Sequence, residues 1–331
     1  MVKNLIWGLL AVLLLIALSL AGYIVFFFQP GLIEVERQWQ SKQPSKLLNI
    51  GSTKTLSILP LVNWNTLDSR FKGEAGVSYL IKTDQQTILF DVGFNVQRES
   101  PSPLQHNMAE LGIALNEIDT LFLSHHHLDH SGGQSWVNKN TFSLGNEQVD
   151  LTGTKIFSPV AIEYPNVDVQ VIPDASIVGP GLASIGAISR QLFMGRIAEQ
   201  ALAINVEGKG LVLIVGCGHQ TLAKILQRTA QVFDQPLYGL VGDLHYPVPE
   251  GRLELLGFNL QRIFASGSGP FQPIEQEAIN TEMAMLKELQ PSLVALGSHD
   301  TSDQVIHDFS QVFGDAYRYV KVGEWINIDN K

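Results

Sequence analysis

The sequence Leu-Phe-Leu-Ser-His-His-His-Leu-Asp-His occupies residues 121–130 and decides how the rest of the chain is interpreted. Its apolar start predicts a buried strand, and the Ser-Gly-Gly at residues 131–133 predicts a tight turn after it. Because side chains alternate along a strand, His125 and His127 should lie on the same side. Imidazole and carboxylate groups are the ligands that suit zinc and related divalent metals. The stretch therefore predicts a metal site, and the alternative is a histidine-rich surface loop.

Other predicted strands end in residues of the same chemical type. These residues are Asp91 after residues 88–90, His219 after residues 211–215, Asp243 and His245 after residues 237–241, and His299 after residues 292–296. Of the nine histidines, only His106 and His307 lie outside these strand ends and the central stretch. Histidines scattered over a surface would not concentrate in this way. The pattern predicts that one site collects ligands from several strands.

Composition excludes some classes of function. A net charge of −10 argues against a nucleic-acid partner, because phosphate backbones are bound by clustered lysine and arginine. Cys217 is the only cysteine, so the chain forms no internal disulfide and the redox compartment stays open. Cys217 lies two residues before His219, and two interpretations of it stay open: a small buried apolar side chain or a soft metal ligand.

The N-terminus predicts a membrane anchor. Residues 5–28 carry no charge, and at about 1.5 Å per residue this run is long enough to cross a hydrocarbon core of about 30 Å. A cleaved signal peptide is the rival, with Ser19-Leu20-Ala21 as its cleavage site, but the apolar run continues beyond it. Lys3 precedes the span, so the positive-inside rule places the bulk of the chain on the extracytoplasmic side, periplasmic or extracellular.

The pattern divides the chain into an anchor over residues 4–28, a polar linker over 29–50 and one domain over 51–331. Within the domain, short apolar strands alternate with segments of helical spacing, which favours an α/β fold with two packed sheets and helices outside. Three loops should shape the substrate pocket, at residues 93–103, 179–198 and 247–272, and the last is a candidate lid. The oligomeric state cannot be derived from the pattern.

The ordered series of strand-end residues resembles the motifs of the metallo-β-lactamase superfamily. The resemblance covers residues 55–330 and implies a four-layer αββα sandwich of two mixed β-sheets. Within the superfamily the chain looks most like the branch that includes the dihydropterin phosphate synthase of methanopterin biosynthesis. The stretches that carry this likeness are residues 76–81, 104–107, 199–202, 216–219 and 322–323. The chain departs from that branch at Gly218, Asp243 and Asp300, where the branch usually has other residues, so its substrate cannot be transferred.

The resemblance also implies a ligand set for two metal ions, by default Zn²⁺, with Mn²⁺ or Fe²⁺ as alternatives. The first ion would be held by His125, His127 and His219, the second by Asp129, His130 and His299, and Asp243 would bridge them. Asp243 competes with His245, which occupies the matched position in the most similar branch. Asp91 is expected to orient ligands rather than bind metal. His126 should point away from the others.

The function implied is that of a membrane-anchored metallohydrolase. A metal-bridging hydroxide would attack an ester, phosphodiester, lactone or lactam bond of a small-molecule substrate, and Asp129 would serve as the catalytic residue that orients the nucleophile. Two alternatives remain open. One is a transferase like the dihydropterin phosphate synthase, and the other is a non-catalytic metal-containing binding or sensor domain.

Overall fold

Two seven-stranded sheets lie face to face in the computed structural model, which describes residues 2–329. The predicted domain therefore extends two residues, Asn330 and Lys331, beyond the described part of the chain. The first sheet has the order β18-β1-β2-β3-β4-β5-β6 and comprises Ile326–Asp329, Thr55–Val62, Ser78–Thr83, Thr87–Phe90, Thr120–Phe122, Lys155–Ser158 and Val169–Val171. The second has the order β17-β16-β13-β12-β11-β8-β7 and comprises Tyr317–Tyr319, Leu293–Leu296, Leu237–Gly242, Gly210–Val215, Leu202–Val206, Leu182–Ser184 and Ser176–Gly179.

The two sheets have the same pattern of strand directions. In the first sheet the pairs from β18 to β3 are antiparallel and those from β3 to β6 are parallel. In the second, the pairs from β7 to β12 are antiparallel and those from β12 to β17 are parallel. Both sheets are therefore mixed. The structure thus repeats one arrangement in each half, although the sequence shows no strict repeat.

Alternation along the strands fills the layers on either side of each sheet. In β12, Val212 and Ile214 point into the core between the sheets, while Leu211, Leu213 and Val215 point into an outer core. The outer core of the second sheet is covered by α5 (Leu222–Val232), α7 (Gln276–Glu288) and α8 (Asp303–Phe313). The outer core of the first sheet lies under α3 (Pro103–Glu110). The predicted four-layer αββα sandwich is confirmed.

The N-terminal helix is longer than the predicted anchor. Helix α1 (Val2–Tyr23) continues through a π-helical turn (Ile24–Phe28) into α2 (Gln29–Ser41). The sequence favours a polar linker over residues 29–50, but its first thirteen residues are helical because they have a docking site: Val35 is buried, and Trp39 packs against the outer core of the second sheet. This helix is long and apolar enough to cross a membrane, a test that a signal sequence also passes.

Two smaller pieces lie beside the sandwich. A hairpin of β9 (Ile188–Leu192) and β10 (Gly195–Glu199) extends from the second sheet and packs against α2. Residues 247–275, called the lid below, contain the hairpin β14 (Glu254–Leu255) and β15 (Phe258–Asn259) and the short helix α6 (Leu260–Ala265). The remaining short helix, α4 (Gln134–Val137), follows the histidine-rich stretch.

Candidate metal centre

Six histidines form one continuous cluster beyond the ends of the parallel strands. The ring centroids are separated by 4.0 Å for His125–His130, 4.8 Å for His125–His127, 4.9 Å for His127–His219, 5.3 Å for His130–His299 and 4.5 Å for His219–His245. His125, His127 and His130 follow strand β4. His219 follows β12, His245 follows β13 and His299 follows β16. The structure thus brings together histidines from both sheets, as the sequence predicts.

Several ring nitrogens in this cluster are buried without a hydrogen-bond partner among the described residues. They are Nε2 of His125, His130 and His245, Nδ1 of His219, and both nitrogens of His299, and Oδ1 of Asp129 shares this property. A buried polar atom without a partner costs about 1–3 kcal/mol. So many in one place would be costly unless a ligand completes them. These donors, imidazole and carboxylate, are those that divalent metal ions take.

The donor atoms also lie close enough together to share an ion. One group whose ligand atoms are within 4.8 Å of one another contains His125, His127 and His219, the set implied for the first metal. The set implied for the second metal is brought together only in part. Asp129 groups with His130 and His125 in one arrangement and with His299 and Asp300 in another. The residues present therefore fit a divalent metal centre.

Asp91 holds the start of the motif in place. It follows β3 with a positive φ of 56°, and its carboxylate accepts hydrogen bonds from the backbone N–H of Ser124 at 2.7 Å and from the hydroxyl of Ser124 at 2.6 Å. The same carboxylate lies 2.7 Å from Nδ1 of His130, which leaves Nε2 facing the cluster. Burial disfavours the charged imidazole, but the Asp91 carboxylate outweighs it and raises the pKa of His130. Asp91 thus holds Ser124 in place and orients the ring of His130.

Glu199 positions the loop that carries His219. Its buried carboxylate accepts the backbone N–H groups of Cys217, Gly218 and His219 at 2.7–2.9 Å. Burial raises the pKa of Glu199 to about 7. In the same loop, a Cβ on Gly216 would lie 2.1 Å from the hydroxyl oxygen of Ser124, so only glycine fits there. The sequence gives no local signal for this role, because Glu199 and the loop meet only through the pairing of distant strands.

The structure separates the two candidates for the remaining ligand. Both oxygens of Asp243 are occupied: one accepts from Asn63 and from the Tyr79 hydroxyl, each at 2.9 Å, and the other accepts the backbone N–H of His299 at 2.9 Å. Asp243 belongs to none of the ligand groups that the described residues form. His245 does belong to one, and its Nε2 has no partner there. The arrangement favours His245 over Asp243 as the residue that faces an ion.

Asp300 is a site residue that the sequence analysis names only as a departure from the resembled branch and not as a candidate ligand. Its Oδ2 lies 3.0 Å from Nδ1 of His245, 2.9 Å from Sγ of Cys217 and 3.5 Å from Nε2 of His299. Its other oxygen accepts a hydrogen bond from Gln261 of the lid. Asp300, Cys217, His219 and His245 form one ligand group. The local signal for this role is its position next to His299 at the end of β16.

Charges inside the cluster differ sharply between neighbours. Burial lowers the pKa of His125 well below its ordinary value and that of His127 to about 4. Burial also opposes ionisation of Asp129, but the His299 ring, whose Nε2 lies 3.3 Å from Oδ2 of Asp129, lowers the pKa of Asp129 to about 2. Conversely, the carboxylates of Asp300 and Asp129 overcome burial and raise the pKa of His299 to about 10. His125 and His127 are therefore neutral and Asp129 is ionised, the protonation states that metal binding requires, whereas His299 is protonated without a metal and would release its proton on binding one.

The other histidines lie outside the cluster. Nε2 of His126 lies 2.9 Å from the carbonyl oxygen of Thr141, so this side chain turns away from its neighbours as the alternation predicts. His106 lies in helix α3, and its Nε2 is 2.9 Å from the carbonyl oxygen of Arg70.

We predict that His245→Ala removes bound metal while Asp243→Asn retains it. His245 has a buried nitrogen without a partner in the described structure, whereas the Asp243 carboxylate is filled by three donors. Metal content by mass spectrometry should fall by close to one equivalent in the first variant, and the second should lose stability instead. Loss of metal in Asp243→Asn with none in His245→Ala would restore Asp243 as the bridging ligand.

Comparison with known proteins agrees with this geometry. Residues 72–141, which contain Asp91 and the stretch from His125 to His130, match the family model described as the metallo-beta-lactamase superfamily. A curated relative is 24% identical over 245 residues, which is 60% of this chain and 80% of the relative. It is the 7,8-dihydropterin-6-methyl-4-(β-D-ribofuranosyl)-aminobenzene-5′-phosphate synthase of Methanocaldococcus jannaschii.

Two solved structures share the fold. Tm1679, a metal-dependent hydrolase of the β-lactamase superfamily, is 17% identical with a TM-score of 0.56. The metallo-β-lactamase fold protein YhfI from Bacillus subtilis is 12% identical with a TM-score of 0.51. Each likeness covers 83% of this chain and the whole of the other protein, and at these identities it establishes the fold alone. The chain is therefore a protein of the metallo-β-lactamase fold, and the resemblance to that superfamily predicted from its motifs is confirmed.

Proposed function

We propose that this protein is a membrane-anchored metallohydrolase that cleaves an ester, phosphodiester, lactone or lactam bond of a small molecule. The observation that carries this proposal is the set of buried, unpartnered ring nitrogens that converge from both sheets. A degenerate binding domain would have no need to keep such a costly arrangement. The superfamily match and the hydrolase among the structural relatives support the same class of reaction.

The residues divide into two roles. His125, His127 and His219 would hold one divalent ion, by default zinc, Asp129, His130 and His299 would hold a second, and His245 would be a further ligand in place of Asp243. Bound ions of this kind lower the pKa of a water molecule and polarise the bond to be cleaved. Asp129 is the one carboxylate of the set with an unpartnered oxygen in the described structure, and its pKa of about 2 keeps it ionised at neutral pH. We assign Oδ1 of Asp129 to accept a hydrogen bond from the attacking water and so orient it.

The N-terminal helix would hold the site at a membrane, with the domain on the extracytoplasmic side. Lys3 and the α-amine lie before the apolar span, and Glu34, Glu36 and Arg37 follow it. The positive-inside rule supports this orientation. A reporter enzyme fused to the C-terminus should be active only outside the cytoplasm, and activity only in the cytoplasm would contradict the orientation.

The first test is the metal content of the full chain, purified in detergent without a histidine tag. We expect about two equivalents of zinc, as the two-ion mechanism requires. A chelator should abolish hydrolysis of the productive member of an ester, lactone, lactam and phosphodiester panel, and added zinc should restore it. If no metal binds, even after incubation with zinc or manganese, the proposal is wrong.

The second candidate function is synthesis, favoured by the relative from Methanocaldococcus jannaschii. Against it, the chain differs from that branch at Gly218, Asp243 and Asp300, all in or beside the cluster. Product formation from a dihydropterin, in a preparation that binds metal and hydrolyses nothing in the panel, would select this alternative.

A further inference from the structure

A cavity opens beside the candidate metal centre. It has a volume of about 340 Å³ and is lined by His219 and His245 at one end. Small-molecule sites usually measure about 300–1,000 Å³, so the cavity is large enough for a ligand. Its walls come from the hairpin β9–β10, the lid, the loop after β12 and helix α7. Two of the three loops expected from the sequence to shape the pocket, residues 179–198 and 247–272, thus contribute to it. The loop over residues 93–103 lines a different cavity instead.

The lining of the cavity is amphiphilic. Apolar side chains lie along it, namely Leu192, Ala265, Pro273, Ile274 and Ala278. The polar side chains include Arg190, whose guanidinium donates to the carbonyl oxygen of Gly267, and Glu282, which accepts from the Tyr246 hydroxyl. The hydrogen bond from Arg190 ties the hairpin to the lid. Such a lining suits a molecule with both a polar head and an apolar body.

The walls of this cavity are in contact with the N-terminal helix. The hydroxyl of Tyr23 donates to the carbonyl oxygen of Phe193, at the tip of the hairpin, at 2.5 Å. The Phe193 ring lies 5.3 Å from that of Phe28 and 5.5 Å from that of Phe264 in the lid. Gly269 of the lid also lies against the Phe28 ring, where a Cβ would come within 2.4 Å. The end of the apolar span therefore packs against both the hairpin and the lid that form walls of the cavity.

Large apolar side chains are exposed at the same place. Met194, next to Phe193, is 70% exposed, and Phe271, two residues from Gly269, is 82% exposed. On the helix itself Phe26 and Phe27 are 74% and 69% exposed. Large apolar side chains exposed on segments that contact one another mark an interaction site. The bilayer is the occupant that fits, because the apolar part of the helix able to span a membrane ends at Phe28, within this surface. We name Met194, Phe271, Phe26 and Phe27 the apolar rim.

We propose that the apolar rim rests in the membrane interface and that the substrate is an amphiphile drawn from the bilayer. Its labile polar group would reach His219 and His245, and its apolar chain would pass between the hairpin and the lid toward the membrane. This inference rests on the proposed hydrolase function and adds the class of substrate. With a water-soluble substrate, neither the apolar lining of the cavity nor the apolar rim would contact an apolar partner.

The position of the rim can be tested without any activity measurement. Cys217 is 1% exposed, so a cysteine introduced at Phe271 or Met194 can be labelled selectively with an environment-sensitive fluorophore. The full chain is reconstituted into lipid nanodiscs of phosphatidylcholine and phosphatidylglycerol that each hold one copy. We expect a blue-shifted emission for Phe271→Cys and Met194→Cys and none for Glu207→Cys, an exposed site in the turn between β11 and β12. A shift that appears only when discs hold two copies would assign the rim to a second copy and overturn the proposal.

The substrate class is tested with pairs of short-chain and long-chain homologues that share one labile bond. Long-chain members presented in vesicles should be cleaved at least about tenfold faster than soluble short-chain members at equal total concentration, because a few extra methylenes partition them into the bilayer and raise their concentration beside the cavity. Phe271→Lys should slow cleavage of the long-chain members presented in vesicles and leave hydrolysis of the soluble short-chain members unchanged, because it alters the contact with the membrane and not the cavity. Metal-dependent hydrolysis without a chain-length preference would overturn the inference but not the hydrolase. Absence of all hydrolysis by a metal-loaded preparation would instead reject the hydrolase, and the inference with it.

Discussion

His125→Ala should lower kcat/KM for hydrolysis by about a thousandfold, since loss of a metal ligand removes several kcal/mol of transition-state stabilisation and each 1.36 kcal/mol is tenfold in rate. His125 is fully buried between His130 and His219, and its Nε2 has no partner in the described structure. Metal content should fall in parallel. Both quantities can be measured on the full chain in detergent.

His126→Ala is the matched control for this experiment. It is the adjacent residue of the same type, but its ring nitrogen contacts the Thr141 carbonyl outside the cluster. This variant should keep its metal and nearly all of its activity, at a small cost in stability. Equal losses in the two variants would mean that the stretch matters for folding rather than for metal binding.

Asp91→Ala should weaken metal binding and destabilise the fold at once. The substitution leaves the Ser124 backbone N–H, the Ser124 hydroxyl and Nδ1 of His130 buried without their acceptor. Loss of a residue that orients metal ligands typically costs 10–100-fold in affinity, and we expect about that range here. Leaving several buried donors unpaired should also lower the free energy of unfolding by about 3 kcal/mol or more.

The two effects of Asp91 can be separated by Asp91→Asn. An asparagine at this position keeps an oxygen for the Ser124 N–H but loses the charge that favours the protonated His130 imidazole. Metal affinity, followed by competition with a chromophoric chelator, should fall while thermal unfolding changes less than in Asp91→Ala. If Asp91→Ala bound metal with unchanged affinity, Asp91 would have no part in orienting the site.

The sequence was most informative where function depends on local pattern. The spacing from His125 to His130 is contained in one short stretch, and the strands before it and before His219 are apolar and easily recognised. The structure brings these residues together as predicted. The sandwich was predictable for the same reason, because apolar alternation along strands such as β12 is read directly from the residues.

What could not be predicted depends on contacts between distant segments. Whether Asp243 or His245 faces the cluster is decided by Asn63 and Tyr79, which occupy the Asp243 carboxylate from the opposite sheet. The role of Glu199 depends on its position beside the loop that follows β12. The helical conformation of residues 29–41 depends on the docking of Val35 and Trp39, which a polar composition does not reveal.

The unbroken helix from Val2 to Ser41 has a consequence for kinetics. A flexible tether would let the domain sample the solution around it, but a continuous helix docked through Phe28 and Val35 would, in the proposed membrane-anchored arrangement, fix the domain in one orientation to the bilayer. The enzyme and its substrate would then meet in two dimensions. Rates should follow the mole fraction of substrate in the membrane, so that adding inert lipid at constant total substrate slows the reaction by surface dilution.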